Sequence, residues 1–282
     1  MMIAKHPLNI LTFILLMAFV FCTNPKPVEA SLTISPLRVV LEGRSRSAEV
    51  MLLNLSKQTN TYRLGWIYNK MDETGHYTRV AESLTPDMDV AKYVVFSPRQ
   101  VSIPPGGRQK VRLSLRRPPE LADGEYRAHL IFQKLPDENT KASAPAAPER
   151  GMSLSMEVLV GFSIPVIVRT GEYDAAAEIV NPHFIPLDQS KSGKPEIGMI
   201  IKRTGKHSTL GRVTVHWDGS DKPDKRIGLL NNVSIFPEMN ERIVNVSLNV
   251  DAIPGGNITI RYTAEGPEQG IIYTEKTFPI GR

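Results

Sequence analysis

Arg38 is the side chain whose surroundings in the sequence most suggest chemistry. In the run S-P-L-R-V-V-L-E-G its neighbours Leu37, Val39 and Leu41 are apolar, and strand alternation that turns those three inward sends Arg38 to the opposite face. A guanidinium there offers a rigid fork of donors matched to a carboxylate. A solvated strand arginine is the plainer alternative, and the pattern leaves both open. The other reactive types are scattered. His76, His129, His183, His207 and His216 each stand alone, without zinc spacing or a nucleophile to activate. Asp218, Asp221 and Asp224 share the loop D-G-S-D-K-P-D, but their spacing misses the calcium-loop pattern, so turn formation is expected of them. No Walker loop, dinucleotide fingerprint or nucleophile elbow occurs in the mature chain. An enzyme is therefore not expected, nor any metal or other cofactor.

The two ends of the chain narrow the class further. Lys5 and His6 precede an apolar run from Leu8 to Cys22, and Val28-Glu29-Ala30 supplies a site for signal peptidase, so residues 1–30 read as a cleaved secretory leader. Phe21 stands where a lipid-attachment site at Cys22 would need a small residue, and the run is too short for a spanning helix, so no stable membrane insertion is expected after cleavage. Removal of 30 residues from 282 leaves 252, enough for one sizeable core or two smaller ones. Cys22 is the only cysteine and leaves with the leader, which excludes a disulfide or a thiol nucleophile from the mature protein. The net charge falls from +5 to +4 as Lys5, Lys26 and Glu29 depart. So mild an excess, unclustered with aromatics, is no signature of nucleic-acid binding.

The elements that must position these residues read as strands throughout. Short alternating segments span Leu32 to Leu41, Ala48 to Leu55, Thr61 to Tyr68, Tyr93 to Ser97, Arg108 to Leu115, Tyr126 to Phe132 and Ser153 to Arg169. Seven strands in about 140 residues suit an immunoglobulin-like sandwich. Trp66 in T-Y-R-L-G-W-I-Y is expected between the sheets, and L-A-D-G-E-Y, ending at Tyr126, resembles a tyrosine corner. Residues 137–151 carry no apolar periodicity and are expected to form a mobile loop. After a boundary at Thr170-Gly171, strands near Ile197 to Lys202, Leu210 to His216, Arg226 to Ile235, Arg242 to Leu248, Ile258 to Thr263 and Ile271 to Phe278 predict a second sandwich. The expected layout is a leader over 1–30, a first domain over 31–169 and a second over 170–282.

One strand differs in kind. In S-L-S-M-E-V-L-V-G-F-S-I-P-V-I-V-R, residues Leu154, Met156, Val158, Val160, Phe162 and Ile164 recur at every second position, while the alternate face begins Ser153, Ser155, Glu157. That is a one-sided apolar stripe, either half-buried in its own sheet or open to a partner.

In order and spacing, these segments resemble the periplasmic PapD-like chaperones of the chaperone/usher pilus pathway. The resemblance runs over residues 31–170, through S-P-L-R-V-V-L-E-G, Y-R-L-G-W-I-Y-N, F-S-P-R-Q-V-S-I-P-P-G-G-R-Q-K-V-R-L-S and A-D-G-E-Y-R-A-H-L-I-F-Q-K-L-P. Over the second domain it is weak. It implies an all-β protein of two immunoglobulin-like domains set in a boomerang, working in the periplasm. It also implies pilus subunits and an outer-membrane usher as partners, with no nucleic acid among them. Self-association of the unliganded protein is left open.

The resemblance further implies that the last strand of the first domain is lent to an unfinished subunit. Met156, Val158 and Val160 match the donor positions, with Leu154 as an extension. Three or four buried aliphatic side chains would contribute roughly 5 to 12 kcal/mol gross before association costs. Each backbone hydrogen bond adds only about 0.5 to 1.5 kcal/mol, so the stripe should carry the affinity and the ladder the register. Arg38 matches a residue that holds the subunit's terminal carboxylate. Its usual lysine companion is replaced by Pro165, a departure that also removes a ladder donor. Glu125 and Arg169 match two members of an interdomain ion cluster whose third, acidic member is unplaced, Asp251 being the candidate. The rival reading is a secreted two-domain adhesion or carbohydrate-binding module, which an exposed aromatic cluster would favour.

Overall fold

The structure, a computed structural model, describes residues 32–84, 89–118, 121–136, 160–219 and 224–280. The leader, the 137–151 loop, Leu154, Met156, Val158 and Asp221 lie outside the described residues. Among the described residues, ten strands make the first half: β1 (Leu32–Ser35), β2 (Val39–Leu41), β3 (Ser47–Asn54), β4 (Asn60–Met71), β5 (Tyr77–Val80), β6 (Val94–Ser97), β7 (Gln100–Ile103), β8 (Arg108–Leu115), β9 (Gly124–Lys134) and β10 (Gly161–Thr170). Seven make the second: β11 (Ala175–Ile185), β12 (Glu196–Gly205), β13 (Thr209–Trp217), β14 (Lys225–Ile235), β15 (Glu241–Ser247), β16 (Gly256–Ala264) and β17 (Ile272–Ile280). The all-β class expected from alternation is what the chain forms.

In the first half a sheet ordered β1-β3-β8-β6 faces one ordered β2-β10-β9-β4-β5, with β7 added on β4. Val50, Leu52, Val111 and Leu113 from one sheet meet Tyr62, Leu130, Phe132 and Ile164 from the other in a single core. In the second half β11-β12-β15 faces β14-β13-β16-β17, around Ile197, Ile201, Val213, Val215, Ile258 and Ile260. Each half is thus a sandwich whose inward residues alternate with outward polar ones.

Tyr126 makes the expected corner: the fully buried ring sits in the first core and its hydroxyl donates to the Ala122 carbonyl four residues upstream. Trp66 lies between the sheets as expected, reaching Phe96 of the facing sheet, but is not at the centre of the core. It is only partly buried and packs edge-on against Phe96, ring centroids 5.5 Å apart, while Tyr62, Tyr126 and Phe132 fill the centre. The single strand expected from Leu32 to Leu41 is two. β1 belongs to one sheet and β2 to the other, so Pro36-Leu37-Arg38 is the crossing and the alternation restarts at Val39. Leu37, expected inward, is 60% exposed.

Candidate functional site

β10 is paired on one side along its whole length, from Gly161 opposite Gln133 to Thr170 opposite Gly124 in β9. On its other side β2 covers only Val166, Ile167 and Val168. Among the described residues, Gly161 to Pro165 therefore present an open strand edge. The ladder runs one residue further, since the Lys134 amide donates to the Val160 carbonyl at 3.2 Å. Val168, Val166 and Ile164 are buried in the first core, Phe162 is partly buried against it, and Val160 is 48% exposed. The even-numbered row thus runs out of the sandwich, and the sequence continues it with Val158, Met156 and Leu154. Pro165 sits within the continuous strand opposite His129, just before the β2 pairing begins, in a stretch where a proline is tolerated.

Arg38 lies in a cleft of about 390 Å³ between the two sandwiches, with Leu37 and Val40 on its own side and Asn232, Gly266 and Pro267 opposite. Its Nη2 donates to Asn232 Oδ1 at 2.9 Å. Its Nη1 is buried without a hydrogen-bond partner. A guanidinium nitrogen taken from water and left unpaired is costly, so Arg38 keeps an unused donor in a cleft that the Glu265 carboxylate also lines.

The second cluster surrounds Arg169, at the end of β10. Its Nε donates to Glu125 Oε2 at 2.9 Å, and its Nη1 pairs with Glu42 at 3.3 Å and with Glu268. Nη2 reaches the carbonyl and hydroxyl of Ser208 at 3.3 and 3.2 Å, and Ser208 in turn donates its amide and hydroxyl to Glu125 Oε2. Arg169 and Glu125 are both buried. Glu42, Glu125 and Arg169 come from the first sandwich, Ser208 and Glu268 from the second, so the cluster spans the junction. Asp251 takes no part: it is exposed, and the acidic members missing from the sequence reading are Glu268 and Glu42. Glu268 sits on the 3-10 turn Gly266–Glu268, where no local pattern marks it. Burial pushes its carboxyl above the ordinary range, and Arg169 pulls the other way.

The junction has a third fastening that the sequence did not suggest. The β4–β5 hairpin reaches across, so that Met71 packs in the second core and the Glu73 carbonyl accepts from the Ile243 amide at 2.7 Å. Arg127 lies 3.7 Å over the Phe236 ring and pairs with Glu238.

The histidines serve structure. His207 accepts from the Asp174 amide at 3.0 Å and donates to the Thr170 carbonyl at 3.2 Å. His216 lies 3.0 Å from Asp224, and His183 beside the Asn181 carbonyl. His129 is 2% exposed, edge-on to Tyr77, with neither ring nitrogen partnered. Burial, helped by the Arg127 charge, lowers its pKa from 6.5 to about 3. A folded-state value below the unfolded one means that the unfolded chain takes the proton first, so stability falls as pH drops from about 6.5 towards 3. His129→Leu is expected to flatten that slope, measured as urea midpoints across this window; an unchanged slope would show that His129 does not contribute. Asp218, expected to form a turn, instead accepts from the amide and side chain of the distant Asn257. Among the described residues, no group of three or more potential ligands is arranged to hold a metal ion, and no helix is long and apolar enough to cross a membrane.

No family model matches the chain, and no curated protein does. Among solved structures it is similar to the class 5 fimbriae chaperone CfaA, at 14% identity and a TM-score of 0.42, covering 89% of this chain and 99% of that one. It is similar also to the E. coli chaperone DraB, at 12% identity and 0.43, covering 89% and 96%. A third is from a Salmonella enterica SafA pilin–SafB chaperone complex, at 10% identity and 0.42, again covering 89% and 96%.

Proposed function

We propose that this chain is a periplasmic pilus-assembly chaperone that binds unfinished pilus subunits by lending them a strand and delivers them to an outer-membrane usher. The observation that carries the reading is the edge of β10: among the described residues, Gly161 to Pro165 have a neighbour on one side alone, and the apolar row leaves the core at Val160 and continues in sequence to Leu154. An extended partner can add there by main-chain pairing, with alternate side chains filling its groove. The cleft Arg38 would hold the partner's terminal carboxylate, and the Arg169 cluster would fix the angle between the sandwiches. Binding and hand-over require neither nucleotide nor metal, and no catalysis.

The test is co-expression with a pilus subunit lacking its final strand. A one-to-one complex is expected, with amide exchange slowed at Gly161 to Ser163; exchange unchanged there would count against strand lending. Within the same assay, Arg38→Ala should weaken capture by roughly ten- to a hundredfold, the worth of a hydrogen bond to a charged group. Unaltered affinity would reduce Arg38 to a structural residue.

A further inference from the structure

Asn232 owes its position to a defect in its strand. In the β13–β14 ladder, Gly211 opposes Val233 and Val213 opposes Leu230, so Asn231 and Asn232 together face Arg212 alone. This is a β-bulge, a device that re-aims a side chain. Asn232 adopts φ 59°, in the left-handed region that asparagine tolerates better than most residues. Its amide N–H points to Glu265 Oε2 at 3.4 Å, and the other oxygen of Glu265 lies 3.5 Å from Arg212 Nε, so that carboxylate is itself compensated. The re-aimed side chain crosses the cleft to the Arg38 guanidinium.

We propose that Asn232 is a positioning residue for carboxylate capture, the neutral second member of the site in place of a second cation. The inference rests on the reading of Arg38 as the carboxylate holder. With its oxygen turned to Nη2, the Asn232 amide has its N–H donors to offer an anion, and Arg38 is held with Nη1 unpaired, a donor for the incoming oxygen once the cleft opens to admit it. One half of the site then comes from each sandwich. Glu265 begins the segment that ends at Glu268 on Arg169, so the site and the junction cluster are three residues apart.

Acetate is the probe, titrated against chloride at constant ionic strength into the full chain labelled with 15N-arginine. The readout is the guanidinium signal that Arg38→Ala removes. The wild-type signal should shift saturably with acetate. Asn232→Gly keeps a backbone that tolerates φ 59° and should weaken acetate binding about tenfold, one hydrogen bond's worth, with the melting temperature reporting that the fold is kept. Asn232→Asp also tolerates the backbone but neutralises Arg38, and should abolish the shift. Wild-type acetate affinity in either variant overturns the role of Asn232 while leaving Arg38 as the holder. No saturable shift in the wild type overturns the carboxylate site itself.

Discussion

Val158→Glu is expected to abolish co-purification with a pilus subunit while leaving the chain folded. Val158 comes two positions before Val160 in sequence, in the alternation that leaves the first core at Val160, and the expectation rests on its side chain serving a partner and not that core. The substitution removes one of three or four aliphatic anchors, each worth about 1.5 to 3 kcal/mol. It also carries an ionised carboxylate into an apolar groove, at a cost of several kcal/mol more unless the group protonates. Set against a gross gain of roughly 5 to 12 kcal/mol, from which association costs are still to be subtracted, little affinity survives. Circular dichroism and the melting temperature of the variant should match the wild type. A complex that persists through size exclusion would sink the lent-strand reading, whereas a lowered melting temperature would mean that Val158 belongs to the core.

The second large effect is expected at Arg169. Arg169→Ala removes a cation shared by Glu125, Glu268 and Glu42, and removing one partner from a buried ion pair costs about 3 to 5 kcal/mol. For two sandwiches of this combined size the melting temperature should fall by roughly 10 °C. The deficit should depend on pH in a direction fixed by the carboxylates. Burial already holds Glu268 above the ordinary range, with Arg169 opposing it; without the arginine the folded-state pKa rises further. A raised folded pKa means that the folded state gains stability as pH falls, so the deficit should be largest near neutrality and shrink below about pH 5. Equal losses at both pH values would show that the arginine acts by packing alone.

The parts of the fold that were legible are those whose apolar residues alternate. β8 runs from Arg108 to Leu115 as its pattern dictates, and Tyr126 makes its corner. β5 was invisible because Y-T-R-V has no buried face. β11 escaped because A-A-A-E-I-V-N-P-H-F-I opens on alanines and carries Pro182 beside an irregularity at Asn181. β7 is four residues long and borrows its register from β4. The site divides likewise. Arg38, Glu125 and Arg169 could be placed by resemblance, since they lie in the well-matched first half. Glu268, Asn232 and the hairpin residues Met71 and Glu73 could not, because each acquires its role from the other sandwich. The alternation of Leu37 failed where the chain passes from one sheet to the other.

β10 divides its side chains between two bodies: Val166 and Val168 enter the first core, Ile167 enters the second, and Arg169 ties both together. The strand is thus a shared spar, and its open end is where a partner would pull. A tug along its axis loads the ten residue pairs between β9 and β10 in shear, all at once, up to the junction at Arg169 and Glu125. A load applied across the sheet would instead peel from Gly161 one pair at a time. A partner drawn lengthwise would therefore strain both bodies together, whereas one pulled sideways would load the pairs singly, beginning at the end farthest from the junction.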